Sequence, residues 1–273
     1  MPPDFLAEMI AAARARVVDA RGRAPLAPPE EPRSAGRLRA ALEAGAGGPA
    51  DAGRRSHLAL IAEVKRRSPS KGDIAPSLDA VAQGEAYETA GADAVSVLTE
   101  PTRFGGSLDD LRAVAAAVDL PVLRKDFIVD RYQLWEAAAA GAAAVLLIAA
   151  ALPGAALRKL LDASHECGLD ALVEVHDGAD LDHARAAGAT LIGINNRSLR
   201  TLDVDLAATT QLAPAIGPSA FIVSESGIAT PEDARRVAAA GAQALLVGET
   251  LVRALPGALP KLIAALKHPE RQR

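Results

Sequence analysis

The chain of 273 residues contains a single cysteine, Cys167, so no disulfide can form within it, and no CxxC spacing for zinc is present. Cys167 reads as a small residue near a helix end. Aromatic residues are also scarce, at 3%, although half of the chain is hydrophobic. The core must therefore be built from Ala, Val, Leu and Ile, which favours parallel strands covered by helices, where small and branched aliphatics pack in layers. An excess of basic charge is missing: the net charge is −4, the pI is about 5.8, and Lys and Arg are spread along the chain. That distribution offers no face for nucleic acid. The start, Met1-Pro2-Pro3-Asp4, lacks a basic segment followed by an apolar core, so no secretory signal is visible. Residues 137–157 carry no charge and are nominally long enough to cross a bilayer. Gly141 and Pro153-Gly154 interrupt this alanine-rich run, and a helix end, a glycine cap and a buried strand explain it better. A cytosolic monomer without nucleic-acid or membrane partners is expected.

What is present is a repeated phrase. Ala90-Gly91-Ala92, Ala140-Gly141-Ala142, Ala187-Gly188-Ala189 and Ala240-Gly241-Ala242 each follow a helical pattern and precede a short apolar run. Glycine just past a helix tolerates the left-handed conformation that satisfies the last carbonyls. Apolar runs occur at 58–65, 92–99, 120–127, 142–149, 170–176, 190–197, 221–227 and 244–249, with amphipathic stretches between them. Thr230, Pro231, Glu232 and Asp233 mark the start of one such helix. Eight strands each followed by a helix predict a closed barrel over the alternative of a doubly wound sheet, since no GxGxxG turn follows the first strand. The N-terminus stands outside the repeat. Phe5, Leu6, Met9, Ile10, Ala13 and Val17 recur at helical spacing, a proline-rich segment at 23–32 follows, and a second short helix is expected around Leu38–Leu42 before a glycine-rich link at 45–53. Residues 1–57 are therefore expected to form a helical extension and linker packed on the barrel, and residues 58–268 the barrel itself.

Barrel chemistry sits at the carboxyl ends of the strands, and residues two apart on a strand point the same way. This parity groups Glu63 with Lys65, Lys125 with Phe127, Glu174 with His176 and Asn195 with Arg197, and adds Glu225. One such residue is readily a structural ion pair, but burying the whole set without a use for it is costly. His176 reads as a structural or rim hydrogen-bonding group, and Arg124, of opposite parity to Lys125, receives no catalytic role. Lysine and glutamate in one cleft suggest acid–base chemistry; burial and nearby cations lower a lysine pKa while a glutamate raises it, and parity leaves open which wins. Leu146 and Ile148 on the uncharged fourth strand, with Phe104 and Phe127, form an apolar wall suited to a flat aromatic substrate. Gly227, Gly248 and the loop Arg67-Ser68-Pro69-Ser70-Lys71-Gly72 fit phosphate binding at the last strands and the first loop.

Longer phrases carry a family resemblance. Ile61-Ala62-Glu63-Val64-Lys65-Arg66-Arg67-Ser68-Pro69-Ser70-Lys71-Gly72 and Leu123-Arg124-Lys125-Asp126-Phe127-Ile128 resemble the signature of indole-3-glycerol phosphate synthases. So, in order, do Phe104-Gly105-Gly106-Ser107, Leu172-Val173-Glu174-Val175-His176, Ile192-Gly193-Ile194-Asn195-Asn196-Arg197 and Ser224-Glu225-Ser226-Gly227-Ile228. The resemblance implies an α/β fold, a (β/α)8 TIM barrel with an N-terminal helical extension, acting in tryptophan biosynthesis. The implied substrate is 1-(2-carboxyphenylamino)-1-deoxyribulose 5-phosphate, closed, decarboxylated and dehydrated to indole-3-glycerol phosphate without metal or organic cofactor. In that reading Lys125 is the general acid at the ketone, and Lys65 holds the substrate carboxylate and serves the loss of water. Glu174 is the general base, removing the ring proton, and Glu63 and Glu225 tune or position these groups. Asn195 and Arg197 orient ring and hydroxyls. Phe104, Phe127, Leu146 and Leu199 form the apolar pocket, and Ser68, Ser226, Gly227, Gly248 and Glu249 hold phosphate, the last two through backbone N–H groups. Arg131 stands where a proline is usual, Ser224 replaces a frequent alanine, and the link at 45–53 is longer than in many relatives. Two rivals are weighed. Phosphoribosylanthranilate isomerase lacks the phrase from Glu63 to Gly72, and a barrel kept only as a scaffold should have lost its strand-tip charges.

Overall fold

In the computed structural model, residues 5–23, 26–29, 35–48, 57–199, 201–218 and 220–271 are described. The first four residues, half of the proline-rich segment and most of the glycine-rich link lie outside these. Each apolar run becomes a strand: β1 (Ala59–Val64), β2 (Ala94–Leu98), β3 (Val122–Lys125), β4 (Ala144–Ile148), β5 (Asp170–Val175), β6 (Leu191–Asn195), β7 (Phe221–Glu225) and β8 (Ala244–Val247). The strands pair in parallel, each with its sequence neighbour, and β8 closes on β1 through Ala59↔Ala244 to Ala62↔Val247. The result is a (β/α)8 barrel. Apart from the tip residue Lys125, every strand residue is buried, which is why the runs read as continuously apolar instead of alternating.

The helices are α1 (Phe5–Arg23), α2 (Arg37–Gly45), α3 (Ala80–Thr89), α4 (Leu108–Ala117), α5 (Arg131–Ala139), α6 (Ala156–Glu166), α7 (Gly178–Ala187), α8 (Ala207–Ile216), α9 (Pro231–Ala240), the single turn α10 (Glu249–Val252) and α11 (Leu259–Lys267). Their starts are set locally. Asp79, Ser107, Asp130 and Asp177 cap α3, α4, α5 and α7, and Thr230 with Asp233 forms a full capping box on α9. Their ends explain the repeated phrase. After α3, α5, α7 and α9 the glycine N–H bonds the carbonyl three residues back and the following alanine N–H the one five back, as in Gly241 to Ala238 and Ala242 to Val237 at 3.0 and 3.1 Å. This is the Schellman geometry, and it needs the left-handed φ of +85° at Gly188 and +116° at Gly241. Cys167 is buried at the C-cap of α6.

The two extension helices serve opposite ends of the barrel. α2 lies at the amino-terminal end of the strands, where Asp170 at the start of β5 accepts from the backbone N–H groups of Gly36 (2.6 Å) and Arg39 (3.0 Å). A carboxylate against the first turn of a helix is favourable. α1 buries Met9, Ala13 and Val17 and reaches the carboxyl-terminal end. There Arg16 pairs with Glu100 at 3.2 Å and Asp126 at 2.7 Å.

Candidate active site

Strand register brings the charged tips together. Glu63, Glu174 and Glu225, on β1, β5 and β7, are 3%, 2% and 0% exposed, and all three face the ammonium of Lys125 at the end of β3. Lys125 Nζ lies 3.5 Å from Glu225 Oε2, 3.8 Å from Glu63 Oε2 and 3.9 Å from Glu174 Oε2. Lys65, one residue past β1, pairs with Glu63 Oε1 at 2.7 Å. Two glycines make room for this packing. A Cβ on Gly193 of β6 would stand 2.1 Å from Glu225 Oε1, and one on Gly248 would stand 2.4 Å from Glu63 Oε1 and 3.0 Å from Lys65 Nζ. Neither contact is tolerable, so the carboxylates occupy space that any side chain would take.

Above the cluster opens a cavity of about 470 Å³. Lys65, Lys125, Glu63, Glu174 and Asn195 line its floor, and Phe104, Phe127, Leu146, Ile148 and Leu199 its apolar wall. Ser68, Arg197, Ser226, Gly227, Gly248 and Glu249 stand around it. Of the residues given a catalytic or substrate-binding role in the sequence, only Glu225 does not line the cavity; it lies beneath Lys125. The loop after β1 is a small antiparallel hairpin, Arg67–Ser68 against Gly72–Asp73, braced over the mouth by a 2.8 Å bond from Arg197 Nη1 to Ser70 Oγ. Ser226 and Gly227 take consecutive left-handed φ values of +63° and +80°. Asn196 Nδ2 holds that turn by donating to the carbonyls of Glu225 and Ser226. Ser224, the departure from a frequent alanine, is absorbed here: its hydroxyl bonds Asn196 Nδ2 and Thr209 Oγ1.

The electrostatics answer what parity left open. Burial alone would lower the Lys125 pKa, but Glu63, Glu225 and Glu174 outweigh it and raise it, so the ammonium stays charged. Burial pushes Glu225 up to about 8, opposed by Lys125 and reinforced by Glu174 and Glu63. Glu174 goes the other way, to about 2: against its burial stand the His176 imidazole 3.3 Å away, the Lys125 charge and Asn195. Lys65 and Lys125 likewise outweigh burial at Glu63 and lower it. Among the described residues no group of three or more His, Cys, Asp or Glu side chains is placed to hold a metal ion, and no helix is long and apolar enough to cross a membrane.

The family model for indole-3-glycerol phosphate synthase matches residues 9–258. The chain belongs to this family. It is 53% identical over 226 residues to the indole-3-glycerol phosphate synthase of Kineococcus radiotolerans, covering 82% of each chain. With that of a Nocardioides strain it shares 55% over 194 residues, 71% of this chain and 75% of the other. With indole-3-glycerol phosphate synthase 1 of Streptomyces coelicolor it shares 51% over 212 residues, 77% and 79% of the two chains. The family match begins inside α1, so the indole-3-glycerol phosphate synthase body includes most of that helix along with the barrel.

Two parts of the site escaped the sequence reading. Phe5 of α1 lines the cavity, its ring edge-on to Phe127 with centroids 6.3 Å apart. Its place in a helical apolar stripe looked like ordinary core. Glu100 and Asp126 also reach the cavity edge. Glu100 accepts from the backbone N–H groups of Thr102, Arg103 and Phe104 and thereby shapes the loop that presents Phe104. A clue was present in an acidic residue directly after an apolar strand. Arg124, set aside on parity, does face away from the cavity. It donates to Gln133 O at 2.7 Å and pairs with Asp126 and Glu136, fixing the strand end from outside.

Proposed function

We propose that this chain is a carboxy-lyase that converts 1-(2-carboxyphenylamino)-1-deoxyribulose 5-phosphate to indole-3-glycerol phosphate, carbon dioxide and water. The observation that carries the proposal is a Lys125 held as the ammonium in the resting site by three surrounding glutamates, beside Lys65 and against an apolar wall. A substrate with a ring, a carboxylate, a ketone and a phosphate has a complementary group for each part.

The roles follow from charge. When the ring carbon attacks the ketone, negative charge develops on oxygen, and the Lys125 ammonium neutralises and then protonates it. Lys65, free on its cavity side, draws the substrate carboxylate toward the reacting ends. The attacking ring carbon bears the carboxylate and no hydrogen, so loss of carbon dioxide restores the aromatic ring and Glu174 has no ring proton to remove, contrary to the expectation from the sequence. Loss of the former ketone oxygen as water needs a second proton on that oxygen and removal of one proton from the neighbouring carbon. Glu174, ionised at neutral pH, takes the latter, and Lys65 assists the former. Glu63 and Glu225 position the two lysines. Asn195 and Arg197 orient ring and hydroxyls, and Ser68, Ser226, Gly227, Gly248 and Glu249 hold the phosphate. Two protons enter the oxygen and one leaves carbon, so the carboxylate substrate takes up one net proton per turnover. No cofactor is required by this scheme, and we read the protein as a monomer working in the cytosol.

The test is direct. Purified protein given the carboxyphenylamino substrate should yield a product with indole fluorescence; none would reject the reading. Lys125→Ala and Glu174→Gln should each lower kcat by about 100-fold or more, the usual range for loss of one acid–base or charge-stabilising group. Full activity in either would leave the fold and reject the assigned chemistry.

A further inference from the structure

Two adjacent asparagines stand at the end of β6, on opposite parities. Asn195 lines the active-site cavity, whereas Asn196, only 3% exposed, does not reach it. Every polar atom of Asn196 is nonetheless engaged around the turn that follows β7. Its N–H donates to Glu225 O at 2.9 Å, and its carbonyl accepts from Asp205 N at 2.9 Å. In the side chain, Oδ1 accepts from the backbone N–H and the hydroxyl of Thr209 at 3.1 and 2.8 Å, which fixes which end of the amide is oxygen. With its proton spent on Oδ1, Thr209 Oγ1 accepts from Ser224 Oγ at 2.8 Å, and Ser224 Oγ accepts from Asn196 Nδ2 at 3.1 Å. The three side chains thus close a ring of hydrogen bonds that runs in one direction. The other Nδ2 proton is left for the carbonyls of Glu225 and Ser226, at 2.9 and 3.0 Å.

What the amide holds is a strained turn. Ser226 carries a Cβ yet has a φ of +63°, and Gly227 follows at +80°. The left-handed region is costly for a residue with a Cβ, so such a turn persists only when its surroundings hold it. The loop after β6 clamps it from the other side: a Cβ on Gly227 would stand 2.5 Å from Val204 Cγ1. Asp205, next to Val204, is the residue whose N–H bonds the Asn196 carbonyl. Ser226, Gly227 and Ile228 line the active-site cavity, and their backbone N–H groups donate to no group among the described residues. Successive N–H groups without acceptors in a tight turn make a concavity for an anion.

We propose that Asn196, oriented by Thr209 and Ser224, is a positioning residue that sets the affinity of the site for the substrate phosphate by holding the Ser226-Gly227 turn in its anion-binding shape. The inference rests on the function proposed above, which puts the phosphate at this turn. It gives the two asparagines separate tasks: Asn195 meets the substrate, and Asn196 shapes the phosphate end without touching it. Ser224, where alanine is frequent, spans Asn196 and Thr209 with a hydroxyl that alanine lacks.

Asn196→Ala removes the hold and leaves in place every side chain that lines the active-site cavity. In titration calorimetry the variant should bind inorganic phosphate about tenfold more weakly than the wild type. It should bind 2-aminobenzoate, which has the ring and carboxylate but no phosphate, within about twofold of the wild type. In turnover KM should rise about tenfold while kcat falls by less than about threefold. Thr209→Val keeps the shape of the side chain but removes the hydroxyl between Oδ1 and Ser224, and it serves if Asn196→Ala fails to fold. Its phosphate affinity should fall about threefold, with 2-aminobenzoate again unaffected. Unaltered phosphate affinity in either variant overturns the proposal. An equal loss of 2-aminobenzoate does so too, because a barrel mouth that has merely loosened weakens both ligands alike. The titrations need no turnover: wild type that yields no product rejects the function proposed above, while its phosphate titration against that of the variants still decides whether Asn196 governs anion binding at the turn.

Discussion

At the residue scale the site works by setting three like carboxylates to different protonation states with two ammonium groups and one imidazole. Glu63 and Glu174 are held ionised, whereas Glu225, whose fully buried carboxyl has only the Lys125 ammonium as a partner among the described residues, is pushed up to about 8. A folded pKa above the unfolded carboxylate value means that the native state binds the extra proton. Its contribution to stability is complete below the unfolded pKa near 4.5 and is lost as pH rises through about 8. Glu225→Gln replaces a carboxyl that is mostly neutral at pH 6 with an amide of the same shape. The variant should therefore match the wild type near pH 6 and exceed it in stability near pH 9, where the wild type must bury a further charge. Urea unfolding midpoints at the two pH values check this, and a difference independent of pH would contradict the protonation assignment. The strand-tip identities behind this cluster were legible in the sequence, because alternation along a strand is a local rule. Their protonation was not, since it depends on distances between β1, β3, β5 and β7 that only closure of the barrel sets.

At the scale of elements, the repeated Ala-Gly-Ala phrase and the eight apolar runs gave away the strand–helix period, because Schellman caps and buried strands use the same short vocabulary each time. The two glycines inside strand-end positions are of another kind. Gly193 showed no signal apart from lying in a family phrase, and Gly248 was read only as a phosphate-binding backbone, yet each holds open the volume of a buried carboxylate. Gly193→Ala puts a methyl where Glu225 Oε1 lies, so Glu225 must swing away and Lys125 loses its nearest partner. Overpacking of this kind costs about 1–3 kcal/mol, too little to unfold a domain of this size. The expected outcome is a folded protein with a melting temperature several degrees lower and kcat reduced about tenfold or more. Circular dichroism and a turnover assay on the same preparation read both quantities. Undiminished kcat would mean that the position of Glu225 does not matter to Lys125.

At the scale of the whole molecule, the proposed boundary at residue 58 divides the sequence repeat but not the working unit. Arg16 crosses it to reach Glu100 and Asp126, pairings separated by 84 and 110 residues that no local pattern announces. Phe5 crosses it to complete the aromatic wall, and Asp170 crosses back to cap α2. A chain beginning at residue 58 keeps every strand and both lysines, so the barrel should still form. It leaves Glu100, fully buried, without its guanidinium, and losing a buried charged partner costs about 1–3 kcal/mol before the exposed apolar surface is added. It also unseats the loop from Glu100 to Phe104 and removes the edge of the pocket that faces Phe127. The truncated protein should therefore melt at lower temperature and show a KM raised about tenfold or more, with a smaller fall in kcat because the charged floor is intact. Phe5→Ala in the full chain isolates the pocket: KM should rise several-fold at unchanged melting temperature, whereas Arg16→Ala should lower stability and KM should follow. If truncation left KM unchanged, the cavity would be complete without α1, and the extension would serve stability alone.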